Sequence, residues 1–350
     1  MSSLPLHTRA LSVSLDAAAD GMLAARASLI DIRKTGVVPV GGDLGTPGLV
    51  HQMWLEASID PRGPRLRSVS AHQPNVAFEP SALTGGESCR DPVARLTMLE
   101  GATLDDDFLG HLSAAQGGPR GCSHILTIAQ VLVATVRWAF DAGGVAAPDA
   151  RRRIGERVFR RDIVVDASRQ ADGDLEIISQ LSDLTFARAD EVAQPMQRFA
   201  GLHEVRVRAG VEVATLTFSD LRAAERRRVH DSLDATGWID RTERVAGLRG
   251  VSIFRGVSAA LMERLAAAED RPVRDAALML APTFIQACGA MSEGWPARAA
   301  AAESIIGMGG LPDSCYMWRR GGALDARRGP DDPMPTIEPS ANDHTAFTRL

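Results

Sequence analysis

The sequence predicts an α+β fold made of two tandem, diverged copies of one antiparallel-sheet-plus-helices module. Two patterns and the bulk composition lead there. A shift of 152 positions brings one half of the chain into register with the other, and in each half alternating stretches arranged as hairpins precede helical patterns. The 350 residues, 45% hydrophobic and 24% charged, have the balance of a folded chain long enough for two cores.

The repeat is visible in three separate elements. Arg9 falls on Arg161, Leu11 and Val13 on Ile163 and Val165, and Ala19-Asp20-Gly21 on Ala171-Asp172-Gly173. Leu29 and Asp31 fall on Leu181 and Asp183, Val50-His51 on Leu202-His203, and Leu126 and Ala129 on Leu278 and Ala281. Residues 1–142 then form the first copy, 143–155 a linker, 156–292 the second copy, and 293–327 a C-terminal returning segment. The Pro-, Asp- and Ser-rich stretch 328–350 reads as a disordered tail.

Within the first copy, His7–Leu15 and Met22–Ile32 flank an Ala-Asp-Gly turn, the signature of a hairpin. A second hairpin joins Val50–Asp60 to Arg65–His72 through Pro-Arg-Gly-Pro. Helical patterns cover Asp91–Leu99, Asp105–Ala115 and Ser123–Phe140. The second copy offers Leu202–Arg208 and Glu212–Phe218 as a hairpin, with helices at Ser258–Ala268 and Val273–Cys288. Asp105-Asp106-Asp107 suits a helix start, where carboxylates favour the free amides and the dipole.

Charge and composition narrow the function classes. A net charge of −5, not gathered in one block, gives no footprint for nucleic acid or an acidic membrane. The apolar runs Ile125–Phe140 and Ala276–Met291 are short for a span and interrupted by Gln130, Arg137 and Gln286. Four cysteines without a secretion signal predict reduced thiols and a cytoplasmic protein. No phosphate-loop or Gly-x-Gly-x-x-Gly pattern is present, so no nucleotide cofactor is expected.

The chemistry-bearing residues cluster in the first copy. On the strand from His51, the row His51, Met53, Leu55, Ala57 and Ile59 shares one face and should meet the helices. Cys89 follows the Gly-rich Thr84-Gly85-Gly86 and opens a helical pattern. Cys122 and His124 sit at the mouth of the next helix, where the dipole and free amides favour a thiolate. His51, Cys89, Cys122 and His124 together suit a tetrahedral site for zinc or iron, while any unligated member becomes a nucleophile or general base. His51, Cys122 and His124 are the catalytic candidates. Arg319 and Arg320, on a stretch expected to return as a strand, are candidates to hold a substrate carboxylate. The second copy has Arg241, Arg274 and Ala276 opposite Cys89, Cys122 and His124, which predicts that it has lost the site. His203 is expected to be a structural, hydrogen-bonded residue.

The pattern Val50-His51-Gln52-Met53-Trp54-Leu55, Ile59-Asp60, Cys89, Gly101 and Gly121-Cys122-Ser123-His124-Ile125 resembles the bacterial domain-of-unknown-function family 2889. Asp313-Ser314-Cys315, Trp318-Arg319 and Gly321 resemble the way those proteins end. The order of elements is also similar to U-type iron–sulfur scaffold proteins, which would make His51, Cys89 and the Cys122/His124 pair the ligand equivalents. A His in place of the first Cys, and Cys-x-His at the last pair, depart from that pattern and leave three thiolates only if Cys315 joins.

These readings predict a metal- or thiol/imidazole-dependent enzyme of lyase or hydrolase type, acting on a small organic substrate. The alternatives are a non-catalytic metal or iron–sulfur carrier, or a partner-binding protein. A live copy beside a degenerate one resembles a fused pseudo-dimer, in which one half supports the other's pocket and further homo-oligomers stay open.

Overall fold

The computed structural model describes residues 3–36, 38–40, 43–45, 47–82, 84–105, 107–141, 152–229, 236–254, 256–291 and 312–327. The expected linker over 143–151, the returning segment before 312 and the tail over 328–350 lie outside the described residues.

The first half contributes β1 (Leu4–Ala17), β2 (Leu23–Arg33), a short ribbon of β3 (Val38–Val40) and β4 (Asp43–Gly45), then β5 (Gly48–Asp60) and β6 (Arg65–Asn75). A 3₁₀ stretch over Asp91–Leu99 and helices α1 (Phe108–Gln116) and α2 (Ser123–Asp141) follow. The second half contributes β7 (Arg157–Arg169), β8 (Leu175–Phe186), β9 (Phe199–Glu212), β10 (Thr217–Val229) and β11 (Ile239–Asp240). Its helices are α3 (Thr242–Val245), α4 (Val257–Arg264), α5 (Arg271–Leu278) and α6 (Leu280–Ala290).

All the long strands join one antiparallel sheet in the order β11-β10-β9-β8-β7-β1-β2-β5-β6. The halves meet where β1 pairs with β7, and the register there is two-fold symmetric. Leu11 faces Ile163, Arg9 faces Val165 and Val13 faces Arg161, so residues 152 positions apart exchange roles about the Leu11–Ile163 pair. The edge strands β1 and β7 thereby cover each other, removing two exposed edges.

Alternation decides which face is buried. In β5, His51, Met53, Leu55, Ala57 and Ile59 are all buried, as the period-two pattern predicts. Helix α2 packs on β1, β2 and β5, α5 on β8 and β9, and α6 across β1, β2, β7 and β8 at the junction of the halves. Helix α2 is apolar and 19 residues long, enough to cross a membrane by length and composition, yet it is largely buried within the protein. The first hairpin turns through Asp20 (φ 56°) and Gly21 (φ 70°), both left-handed, which Asp and Gly tolerate better than other residues.

Two expected elements differ. Residues 213–216 are a turn, and the second strand of that hairpin runs on to Val229, because its Arg- and Glu-rich alternation is that of a strand with one solvated face. The single helix expected over Val273–Cys288 is broken at Met279. Pro282 has no N–H to reach back to Leu278, so α5 ends there and α6 begins again.

Two buried ion pairs occupy equivalent places. Arg9 on β1 faces Asp31 on β2, and Arg161 on β7 faces Asp183 on β8. Both pairs are bidentate, at 2.8 and 2.8 Å in the first and 2.7 and 2.8 Å in the second. Arg161 also donates to Asp275 at 2.6 Å. Removing one member of such a pair leaves uncompensated charge in the core. Arg161→Met should therefore lower stability by about 3–5 kcal/mol, read by urea unfolding; a loss below about 1 kcal/mol would contradict this account of the pair.

Candidate functional site

Three neighbouring strands place the centre of the site. The register sets Asp31 on β2 between Arg9 on β1 and His51 on β5, all on the helix-covered face. Helix α2 brings His124 over the same carboxylate from its first turn. The turn into α2 depends on Gly121: a Cβ there would lie 2.3 Å from the Gln116 backbone. Gln116 in turn accepts the Cys122 amide at 3.1 Å through Oε1, fixing the helix start that carries Cys122 and His124.

Asp31 is fully buried and surrounded. Its Oδ1 accepts from Arg9 Nε at 2.8 Å and from His7 Nε2 at 3.0 Å, and its Oδ2 accepts from Arg9 Nη2 at 2.8 Å. On the Oδ2 side, His51 Nδ1 lies 3.2 Å away and His124 Nε2 3.4 Å away. The two imidazoles stack with centroids 3.8 Å apart and planes tilted by 34°. Gln286 of α6 approaches His124 Nε2 to 3.3 Å, so the second half reaches into the site. His51 Nδ1 is buried and makes no hydrogen bond despite its nearness to the carboxylate.

Burial alone would raise the Asp31 carboxyl. The charge of Arg9, with the close approach of His124, His51 and His7, outweighs burial and holds it well below the ordinary range. His124 moves the other way: burial, then repulsion from His51, brings it down to about 3 against the pull of Asp31. It is a neutral imidazole at physiological pH, the form that binds a metal. One ligand atom each from Asp31, His51 and His124 lie within 4.8 Å of one another. A carboxylate and two imidazoles are a donor set that suits zinc or ferrous iron and leaves coordination positions open.

The cysteines gather beside this group rather than within it. Tyr316 donates its amide to the Gly121 carbonyl at 2.8 Å, which brings the segment carrying Cys315 against the start of α2. Cys89 packs on both the main core and the small cluster of Met317, Trp318 and Leu324. Cys89, Cys122 and Cys315 then lie within electrostatic reach, since Cys89 feels both of the others and Cys315 feels Cys122. The expected thiolate at the helix start is overturned: burial raises the Cys122 thiol, although the amides of Ile125 and His124 and the charge of Arg9 act to lower it. Burial likewise pushes Cys315 up to about 11. All four cysteines are free.

Of the residues expected in one site, His51 and His124 meet at Asp31, with Cys122 two positions before His124 on the same helix start. Arg319 binds Glu87 at 3.1 Å and stacks over Tyr316 at 4.0 Å, and Arg320 pairs with Asp313 at 3.2 Å. The segment carrying them is turns and a 3₁₀ stretch over Tyr316–Trp318, not the strand expected, because Tyr316-Met317-Trp318 curls to bury Met317 and Trp318. His203 accepts its structural role beside Glu225, with Nε2 3.1 Å from Oε2. Sequence reasoning missed Asp31, Arg9 and His7. The signal was present for two of them, because Arg9 and Asp31 recur at the common offset as Arg161 and Asp183, and charged residues kept on an apolar strand face imply a buried pair.

A family model described as "Protein of unknown function (DUF2889)" matches residues 7–137. That span runs from β1 into α2 and takes in Asp31, His51, Cys89, Cys122 and His124, while Cys315 and the second half lie beyond it. No curated protein and no solved structure matches the chain.

The lowered pKa values carry a pH signature. His7, His124 and His203 all fall below the ordinary imidazole value, chiefly through burial, so the unfolded chain binds more protons than the folded one as the pH drops below about 6.5. Their contribution is complete above about pH 6.5 and is lost as the pH falls toward that of the folded groups. Urea unfolding of metal-free protein should show stability falling from pH 7 to 5, with a shallower slope in His124→Gln; a flat profile in the wild type would contradict the buried neutral imidazoles.

Proposed function

We propose that the chain is a metal-dependent enzyme in which Asp31, His51 and His124 hold a divalent cation, zinc or iron, and act on a small organic substrate by lyase or hydrolase chemistry. The observation that carries this reading is the convergence of three ligand atoms from β2, β5 and α2 within 4.8 Å. The unbonded Nδ1 of buried His51, aimed at the same carboxylate oxygen, supports it, since a buried polar atom without a partner calls for one. Such a cation would supply Lewis-acid polarisation of a carbonyl or would acidify a water.

The protein's own groups have separable tasks. Arg9 keeps Asp31 ionised and its plane fixed, as a second-shell partner does for a metal-binding carboxylate. His124 is held neutral, so its ring nitrogen is ready to ligate. Burial raises the Cys122 thiol, so beside this group it is not a standing thiolate nucleophile. The reading also places the protein in the cytoplasm, where its free thiols stay reduced.

A second reading, a non-catalytic soft-metal or iron–sulfur carrier akin to the U-type scaffolds, is favoured by one observation, the gathering of Cys89, Cys122 and Cys315. Elemental analysis of tag-free protein separates the two. The enzyme reading predicts near-stoichiometric zinc or iron that falls at least about tenfold in Asp31→Asn and His124→Ala and persists in Cys89→Ser and Cys315→Ser. Metal lost only in the cysteine variants would favour the carrier, and a folded, metal-free wild type would remove both.

A further inference from the structure

A cavity of about 220 Å³ lies between the halves, bounded by α1 and α2 of the first and by α4, α5 and Arg161 of the second. Its floor is Arg161, the residue standing where Arg9 stands in the first half, and Arg274 on its wall occupies the position of Cys122. A pocket shared by the two halves is thus lined by the residues 152 positions on from Arg9 and Cys122.

The lining has two characters. Leu109, Val131, Met262, Leu278 and Met279 give an apolar body. Arg137, Arg161, Arg271 and Arg274 set four guanidinium groups around it, against the single carboxylate of Asp275. That carboxylate is engaged by Arg161 at 2.6 Å, and Asp183 holds the same arginine from the other side. Arg271 reaches Asp141 at the rim. Arg274 is the least satisfied: its Nε is buried without a hydrogen bond, 3.6 Å from Asp275, and its Nη1 is only 3.5 Å from the Leu265 carbonyl. An arginine so loosely held has donors to turn to a carboxylate.

Size limits the occupant. An apolar cavity of about 150 Å³ suffices for benzene, so this one has room for a ring or a short acyl chain with a charged head. We propose that this cavity between the halves binds a small amphipathic carboxylate, an aryl or short-chain acyl acid, with its carboxylate on Arg274 and its body among Val131, Met262 and Leu278. This gives the second half, which supplies Arg161 and Arg274, a part in a binding site independent of the metal reading.

Calorimetric titration of the full chain with benzoate, hexanoate, benzyl alcohol and inorganic phosphate tests this. Benzoate or hexanoate should bind wild type, with benzyl alcohol and phosphate each at least about tenfold weaker, the loss expected when a charge-assisted bond or the apolar body is missing. Arg274→Gln should weaken the carboxylate about tenfold or more, and Met262→Trp, which fills the cavity without removing charge, should do the same; circular dichroism checks that both remain folded. Failure of both acids to bind wild type at up to about 10 mM would overturn the proposal, as would equal binding by both folded variants or phosphate binding as tightly as benzoate.

Discussion

The site rests on a carboxylate that burial alone would neutralise. Asp31 is inaccessible to solvent, and chiefly the bidentate fork of Arg9 from the adjacent strand keeps its charge in the core. Desolvation of such a pair costs several kcal/mol per ion, so its geometry must be tightly held to be tolerated. The antiparallel register of β1 and β2 supplies that, with Arg9 directly opposite Asp31. Once the carboxylate is fixed and charged, His7, His51 and His124 order around it from β1, β5 and α2.

The same ion pair recurs as Arg161–Asp183, and the β1–β7 register relates the halves about one two-fold point. What surrounds each pair differs. Phe159 stands in the place of His7 and Ala276 in that of His124, so the second pair has an apolar ring and an alanine where the first has imidazoles. Arg274 and Asp275 replace Cys122 and Ser123, converting a thiol-bearing helix start into a charged one. One scaffold therefore carries an imidazole-rich group in the first half and a guanidinium-rich pocket between the halves. Helix α6, with Gln286 at His124, ties the two together.

Much of this was legible in the sequence. Turn chemistry at Asp20-Gly21 and the alternating row from His51 located the hairpins and their buried face. Asp31 was passed over because a lone aspartate in an apolar strand has no local motif; its meaning comes from Arg9, 22 positions away. The gathering of Cys315 with Cys89 and Cys122 depends on the docking of a distant segment through Tyr316 and Gly121, which no spacing encodes. The thiol at the head of α2 was read from its helix dipole, while burial, a tertiary property, decides its acidity. The expected strand around Arg319 failed for a similar reason, since local alternation does not show which side a terminal segment will bury.

The claim that Asp31 organises a metal centre is tested most directly by crystals of the zinc-loaded protein measured at the zinc absorption edge. The account predicts one anomalous peak within bonding distance of Asp31 Oδ2, His51 and His124, at about 2.0–2.2 Å from each ligand atom. A peak among Cys89, Cys122 and Cys315 with none at Asp31, or no ordered peak at all, would contradict it.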